Sequence, residues 1–132
     1  MIIPFQALPG IGVDVLRPVA EIGLAAAPDV RLACLVDTGT LDNRFGAWVA
    51  DIAGIDLDGL ATVSLGVGGR STIGRTAMVQ MTLGAVSWEA PITFCDPWPW
   101  SFHLLGLRGF FRWFHVCIEA ADGHLDISPI LR

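Results

Sequence analysis

The stretch Val30–Asn43, VRLACLVDTGTLDN, joins an apolar run to a polar turn. The run Val30–Val36 contains β-branched valines and follows the turn residues 28–29, so it predicts a strand that is buried on at least one face. The strand ends directly at Asp37, in the sequence Asp-Thr-Gly-Thr. A glycine two residues after the carboxylate permits a tight turn, and the strand supplies a rigid support. Asp37 is therefore a candidate catalytic residue.

The tripeptide Asp-Thr-Gly also has a purely structural interpretation. Three common residues recur by chance in unrelated loops, and an aspartate after a strand often closes it with an Asx-type turn. On the tripeptide alone, the structural interpretation is the more common one.

Composition limits the classes of protein to which the chain can belong. Its 132 residues predict one domain with one core, residues 1–132, in which residues 1–16 form an N-terminal arm that two prolines restrict to short edge strands or an extended segment. Apolar residues make up 53% and charged residues only 16%, which predicts that some apolar surface meets a second subunit. A net charge of −5, with eight scattered arginines and no lysine, argues against a nucleic-acid partner.

The cysteines and the apolar segments bear on the compartment. Cys34, Cys95 and Cys117 cannot all pair within one chain, and each lies in an apolar, strand-like setting, so we expect buried free thiols in a reducing environment. The sequence has no apolar run long enough to span a membrane and no basic start typical of a signal peptide. These features predict a cytoplasmic protein without membrane contact.

Alternating residues and turn signals predict the remaining elements. The expected strands are Arg17–Leu24, Leu60–Leu65, Thr76–Leu83, Val86–Phe94, His115–Glu119 and Leu125–Ile127. A helix is expected to begin at Asp42 or Asn43 and to end at Gly54. Its core-facing residues would be Phe45, Trp48, Val49 and Ile52. A second, short helix is expected within Gly106–Phe114.

Residues 66–74, GVGGRSTIG, join two of these strands and predict a mobile hairpin tip, because glycine adopts positive φ at little cost. The segment Gly69–Thr76 also matches the phosphate-binding pattern G-x-x-x-x-G-K-[ST], except that Arg75 replaces the lysine. That motif needs a helix after the loop, whereas the residues after it alternate as in a strand. Nucleotide binding is therefore not expected.

The residues Leu35–Thr40, LVDTGT, resemble the active-site signature of aspartic proteases, in which two apolar residues precede Asp-Thr-Gly and a small residue follows. The segment Leu104–Gly106, which leads into two phenylalanines, is similar to the apolar-apolar-glycine segment of retropepsin-like enzymes. The resemblance extends from about Arg17 to Ile127. It implies an all-β fold with one or two short helices, the retropepsin-like acid-protease barrel with one lobe per chain. The helix expected after Asp42 is similar to that of cellular and bacterial members.

For function, the resemblance implies an aspartic endopeptidase that needs no cofactor and no metal. One chain carries one Asp-Thr-Gly, so the catalytic pair would be Asp37 and its copy in a homodimer. The pair would activate a water that hydrolyses peptide or protein substrates, at apolar sites and acidic pH. Thr38 would lock the two loops together through its hydroxyl, and Gly39 would let the substrate or the partner carboxyl approach. The Thr40 hydroxyl would donate to the ionised carboxylate, which is our reason to expect an acidic optimum.

The resemblance also makes the glycine-rich hairpin a flap that closes over the substrate. The substrate-binding candidates on this flap are Val67, Gly68, Gly69 and Arg70. Trp98 and Trp100 follow in a proline-spaced loop, and they would form either a wall of an apolar subsite or packing at the dimer seam.

Two further expectations concern charged and titratable residues. Leu41 and Leu107 stand where related chains carry charged residues, so the ion pair that braces the loops would be absent or would join Arg108 to Asp42. The histidines show no metal-ligand spacing, which predicts surface or strand-edge positions. They are His103, His115 and His124.

A function of another class fits the same residues. The chain could be a catalytically silent retropepsin-fold dimerisation or peptide-binding module, since fold does not establish function. The intact LVDTGT sequence favours catalysis, because a pure binding module has no physical need for an unpaired carboxylate at a subunit seam.

Overall fold

Residues 1–131 are described by the structure, a computed structural model, and the predicted end of the domain, Arg132, lies outside them. The described residues form twelve strands, one α-helix and one turn of π-helix. The strands are β1 (Ile2–Pro4), β2 (Gln6–Ala7), β3 (Leu16–Arg17), β4 (Val19–Leu24), β5 (Ala27–Val36), β6 (Asn43–Gly46), β7 (Val63–Val67), β8 (Arg70–Leu83), β9 (Val86–Asp96), β10 (His103–Leu105), β11 (Phe114–Glu119) and β12 (His124–Pro129). The helix α1 spans Trp48–Ala53, and the π-helical turn spans Leu107–Phe111.

Six of these strands close into a barrel. Hydrogen-bonded neighbours follow the order β4-β5-β10-β6-β9-β8, and β8 pairs back with β4, where Gly23 lies opposite Thr82. β7 pairs with the first residues of β8, on the same edge of that strand as β4. The main core packs between these strands, and its largest fully buried side chains include Ile22, Leu24, Phe45, Met81, Ile92, Phe94, Leu105, Phe110 and Leu125. This closed, mainly β architecture confirms the predicted fold class.

The strand β5, which leads to Asp37, is apolar on both faces. It runs antiparallel to β4 and parallel to β10, with Leu35 opposite Leu104. Its Cys34 and Val36 pack into the main core, whereas Leu35 faces a second cluster. This second cluster consists of buried Leu8, Val19, Phe102 and Leu104, with Ala33, Leu35, Val67, Trp98 and Trp100 packed against it. Burial on two faces explains why the strand appears in the sequence as a continuous apolar run.

The predicted start of the helix is wrong. Asn43–Gly46 form β6, which is held between β10 and β9, and α1 begins only at Trp48. The side chain of Asn43 is buried and accepts a hydrogen bond from Gly106, so it does not cap a helix. Tertiary pairing overrides the local helical pattern here, because β6 fills a gap between two barrel strands.

The face of α1 that packs on the core also differs from the prediction. Trp48 and Ile52 are exposed. The buried residues of the helix are Val49, Ala50 and Ala53. Phe45 does reach the core, but it does so from β6. The helix ends as expected at Gly54, which has a φ of 67°.

The hairpin of β7 and β8 has a shorter tip than the nine-residue glycine-rich segment suggested. Only Gly68 and Gly69 form the turn, with φ of 57° and 77°, and Val67 pairs with Arg70 across it. Every residue from Arg70 to Leu83 belongs to β8. The segment that matched a phosphate-binding pattern is therefore a strand.

The first strands pair with later strands of the same chain. β1 pairs with β12, and β12 pairs with β11, in a three-stranded sheet that is separate from the barrel; β2 pairs with β3. The helix expected within Gly106–Phe114 is the single π-helical turn. No helix within residues 1–131 is long and apolar enough to cross a membrane.

Candidate active site

Asp37 follows β5 directly and is held by the neighbouring strand. Its amide donates to the carbonyl of Leu105 at 3.0 Å, which continues the ladder between β5 and β10. Its carboxylate Oδ1 accepts the amide of Gly39 at 2.7 Å, which is the bond of an Asx turn. The side chain is half-buried, and the residues Thr38 and Gly39 are exposed. The carboxylate is thus fixed in direction and accessible at the end of a rigid strand.

The apolar-apolar-glycine segment lies against the Asp37 turn. The amides of Leu107 and Arg108 donate to the carbonyls of Thr40 and Leu41 at 3.0 and 2.7 Å. A Cβ at Gly106 would stand 2.8 Å from the Thr40 carbonyl oxygen, which is backbone and cannot move aside. The close approach of the two loops therefore requires glycine at this position.

The predicted role of Thr40 is contradicted by its geometry. Its side chain is buried, and its hydroxyl lies 3.1 Å from the carbonyl oxygen of Asp42, to which it donates. The hydroxyl therefore shapes the loop after the turn instead of donating to the Asp37 carboxylate. The bond to that carboxylate comes from the Gly39 amide.

The alternative ion pair expected from the sequence is present. Arg108 Nη2 lies 3.1 Å from Asp42 Oδ1 and joins the π-helical turn to the loop after Asp37. Both side chains are partly exposed, so the pair contributes about 1 kcal/mol or less. Beside it, Leu41 and Leu107 have exposed fractions of 55% and 40%. The edge of the candidate site is thus an apolar surface with one ion pair.

The predicted flap and the two tryptophans come together around one cavity of about 320 Å³. The lining residues are Val67, Arg70, Ser71, Thr72, Pro97, Trp98, Pro99 and Trp100. The turn lies directly on the cavity wall, since a Cβ at Gly68 would stand 2.8 Å from the indole of Trp100. Gly69, in contrast, faces open space.

The tryptophan loop is anchored to the second cluster. Trp98 donates its indole N–H to the carbonyl of Phe102 at 2.9 Å, and the rings of Trp98 and Trp100 meet edge to face with centroids 5.0 Å apart. Asp37 does not line this cavity. Leu35, two residues before Asp37, packs in the same cluster as Trp98 and Trp100, and this links the cavity to the turn.

A larger cavity of about 710 Å³ lies beside α1 and shares Trp98 with the first. It is lined by Ile73 and Arg75 of β8, whereas Thr72 lines the smaller cavity. Ser71 of the same strand also lines the smaller cavity, so the two cavities lie next to each other along β8. Within residues 1–131, no group of histidine, cysteine and acidic side chains is arranged to hold a metal ion.

His103 is not the surface or strand-edge residue that the sequence suggested. It is buried in β10, and its ring stacks on that of Phe45 with the ring centroids 4.8 Å apart. The ring also contacts those of Trp48 and Trp98. The amide of Gly46 donates to its Nδ1 at 3.1 Å, so the fold holds the neutral ring. Burial lowers the pKa of His103 to about 4.

The cysteines agree only in part with the expectation of buried thiols. Cys34 and Cys95 are buried and free, and burial raises the pKa of Cys95 to about 11. Cys117 is exposed on β11, contrary to the prediction. Its thiol donates to Glu119, which raises the pKa of Cys117. An exposed position on an edge of a small sheet cannot be recognised from an apolar sequence context alone.

Two residues of the site region escaped sequence reasoning. Asn43 accepts the amide of Gly106 at 3.0 Å and so joins β6 to the glycine segment. Arg44 donates through Nη1 to the carbonyl of Gly66 at 3.1 Å and so joins the barrel to the flap. No local pattern marks Asn43, which stands between Asp42 and Arg44, and the contact of Arg44 depends on strand register.

Comparisons with known proteins agree at the level of the fold. No model of a known protein family matches the chain, and no curated protein sequence matches it. A solved structure of a retropepsin-like aspartic protease from Rickettsia conorii superposes with a TM-score of 0.64 at 16% identity, over 99% of this chain and 92% of that one. The retroviral protease-like domain of Ddi1 from Leishmania major gives a TM-score of 0.64 at 16% identity, over 88% of this chain and 91% of that one. The chain therefore has the retropepsin-like fold, as a single lobe.

Proposed function

We propose that the chain is an aspartic endopeptidase that acts as a homodimer, with Asp37 of each subunit forming the catalytic pair. The observation that carries the proposal is the Asp37 turn, in which an accessible carboxylate is aimed by the Gly39 amide and supported by the Leu105 carbonyl. One lobe supplies one such carboxylate, and a twofold-related copy supplies the second. The side chains of Leu41 and Leu107 are exposed beside the turn. An exposed apolar surface of this kind supports contact with a second subunit.

The chemistry follows from two carboxyl groups that share one proton across a water. The ionised carboxylate accepts a proton from the water as the water oxygen attacks the peptide carbon. The protonated carboxyl donates its proton to the carbonyl oxygen, and the resulting tetrahedral intermediate then loses the amine as that nitrogen takes up a proton. A pair in this state exists on the acidic side of neutrality, because like charges at close range cannot both ionise. We therefore expect an acidic optimum, on this ground and not through Thr40.

The flap and the tryptophan loop supply the binding surface in this proposal. The cavity between Val67, Trp98 and Trp100 is mainly apolar, which supports cleavage beside apolar side chains. Of the two roles considered for the tryptophans, the subsite wall is the one supported by their position against the flap. Two buried free thiols, Cys34 and Cys95, support a reducing compartment, and we assign the protein to the cytoplasm.

The test is cleavage of an unbiased peptide mixture from about pH 3 to about pH 8, at two protein concentrations about tenfold apart. We expect cleavage that rises more than linearly with concentration and that vanishes in Asp37→Asn. An active Asp37→Asn variant would refute the assignment of the catalytic residue. A dimer that binds peptides without cleaving them would instead identify the silent binding module.

A further inference from the structure

Arg44 lies on the same face of the sheet as the residues that lead to Asp37. Leu104 of β10 is paired with Leu35 of β5 on one side and with Arg44 of β6 on the other. Directly paired residues point to the same face of a sheet, and so do residues two apart along a strand. Leu35 and Leu104 both belong to the second cluster, beneath the tryptophan cavity. Arg44 therefore points to the face that carries Asp37.

Strand spacing gives the scale of this arrangement. Two strand separations across the sheet and two residues along it place the Cα atoms of Arg44 and Asp37 about 12 Å apart. An extended peptide advances about 3.3 Å per residue, so this distance corresponds to roughly three or four residues. A peptide whose scissile bond lies at Asp37 would bring a nearby side chain to the guanidinium.

The guanidinium of Arg44 retains binding capacity. It has five N–H donors, of which Nη1 is used for the carbonyl of Gly66 in β7. The residue is half-buried. No carboxylate within residues 1–131 forms an ion pair with it. A half-buried cation without a counter-charge favours an anionic ligand group, since burial strengthens the attraction.

Arg70 places a second cation on the same binding surface. It begins β8 directly after the flap turn, it is the one charged side chain among those that line the tryptophan cavity, and it too lacks an ion pair with any carboxylate of residues 1–131. The chain as a whole carries a net charge of −5. Although the protein is acidic overall, the proposed substrate-binding face therefore carries two arginines without counter-charges.

We propose that Arg44, assisted by Arg70, makes the site selective for peptides that carry a glutamate or aspartate within about four residues of the cleaved bond, next to apolar side chains. Arginine binds a carboxylate through paired, charge-assisted hydrogen bonds. A substrate glutamine is uncharged and cannot form this pair. The position of the acidic residue relative to the cleaved bond rests on the proposed protease function. The selectivity is strongest above about pH 4.5, where a substrate glutamate is ionised.

The test uses peptide pools that differ only in glutamate or glutamine at each position within four residues of a cleaved bond. We expect the wild type to cleave the best glutamate peptide about tenfold faster in kcat/KM than its glutamine analogue, which corresponds to one charge-assisted hydrogen bond. In Arg44→Gln, which removes the positive charge and leaves Arg70 in place, the ratio should fall most of the way to one. Arg44→Lys should keep part of it. A wild-type ratio near one, or an unchanged ratio in Arg44→Gln, would overturn the proposal.

Arg31→Gln is the matched control. Its guanidinium donates to the carbonyls of Pro28 and Val30 at the far end of β5, and the variant should retain the full ratio. Binding of the same pools, labelled and followed by fluorescence anisotropy on Asp37→Asn, separates this inference from the protease assignment. Tighter binding of glutamate pools that is lost in Asp37→Asn combined with Arg44→Gln supports the inference even if the wild type cleaves nothing. Equal binding of both pools refutes it.

Discussion

Asn43 Oδ1 accepts the amide of Gly106 at 3.0 Å, and this bond joins β6, the first strand after the Asp37 turn, to the glycine segment beside it. Both residues are buried, and the space at the next glycine, Gly109, is occupied by the Asn43 amide group. The bond therefore belongs to the support of the candidate catalytic loop.

Asn43→Ala should lower the free energy of unfolding by about 2 kcal/mol, because the buried Gly106 amide loses its acceptor. Urea unfolding followed by tryptophan fluorescence measures this loss. Ser87→Ala, at an exposed polar position of β9, is the control and should change the free energy by less than about 0.5 kcal/mol. Equal stability of Asn43→Ala and the wild type would show that the bond is not structural.

The glycines of the flap turn allow a matched comparison, since both have positive φ but only Gly68 lies on Trp100. Alanine at either position costs about 1 kcal/mol of backbone strain. Gly68→Ala should in addition push the turn away from the Trp100 ring, change its fluorescence and raise the KM for peptides. Gly69→Ala, where a Cβ meets nothing, should show the strain alone. Identical fluorescence and KM in the two variants would contradict the contact.

Acid should destabilise the fold through His103. Burial depresses the pKa of His103 from 6.5 to about 4, so the unfolded chain binds the proton more strongly than the folded one. The stabilisation is complete above pH 6.5, is lost as the pH falls toward about 4, and amounts to up to about 3 kcal/mol. Protonation would also abolish the acceptor for the Gly46 amide.

Urea unfolding at several pH values between 7 and 4 measures this effect. His103→Asn keeps an acceptor near the position of Nδ1 but does not titrate, so its stability should fall less steeply over the same range. The acidic limit of any proteolytic activity should then shift with this variant. Parallel stability curves for the two proteins would rule out His103 as the source.

The proposed dimer should depend on the exposed apolar residues beside the Asp37 turn. Leu41→Asp or Leu107→Asp places a charge on that surface, and we expect the chain to sediment as a monomer and to lose proteolytic activity at concentrations where the wild type is dimeric. Monomer stability should change little, because both side chains are exposed. Met78→Asp, at an exposed apolar position of β8, is the control and should leave association intact. Dimers of unchanged affinity in the leucine variants would place the interface elsewhere.

Local patterns predicted the elements whose environment is uniform. The apolar run before Asp37 forms a strand that is buried on both faces, and the bounds of β4 and β9 lie within two residues of the predicted ones. The end of α1 at Gly54 also follows from local chemistry, because only glycine adopts the left-handed cap without strain. The helix boundary at Asn43 failed, since pairing with β9 and β10 outweighed a helical period in a short segment.

The sequence by itself determined that Asp37 ends a buried strand, because this depends on residues close together in the chain. Only the tertiary structure decided that Thr40 donates to Asp42, that His103 is enclosed by aromatic rings, and that Arg44 faces the same side as Asp37. The positions of His103 and Arg44 depend on which strands are neighbours and in what register, whereas the Thr40 bond depends on the conformation of the loop after Asp37. A one-residue shift in register turns a side chain to the other face, and burial and hydrogen-bond partners change with it.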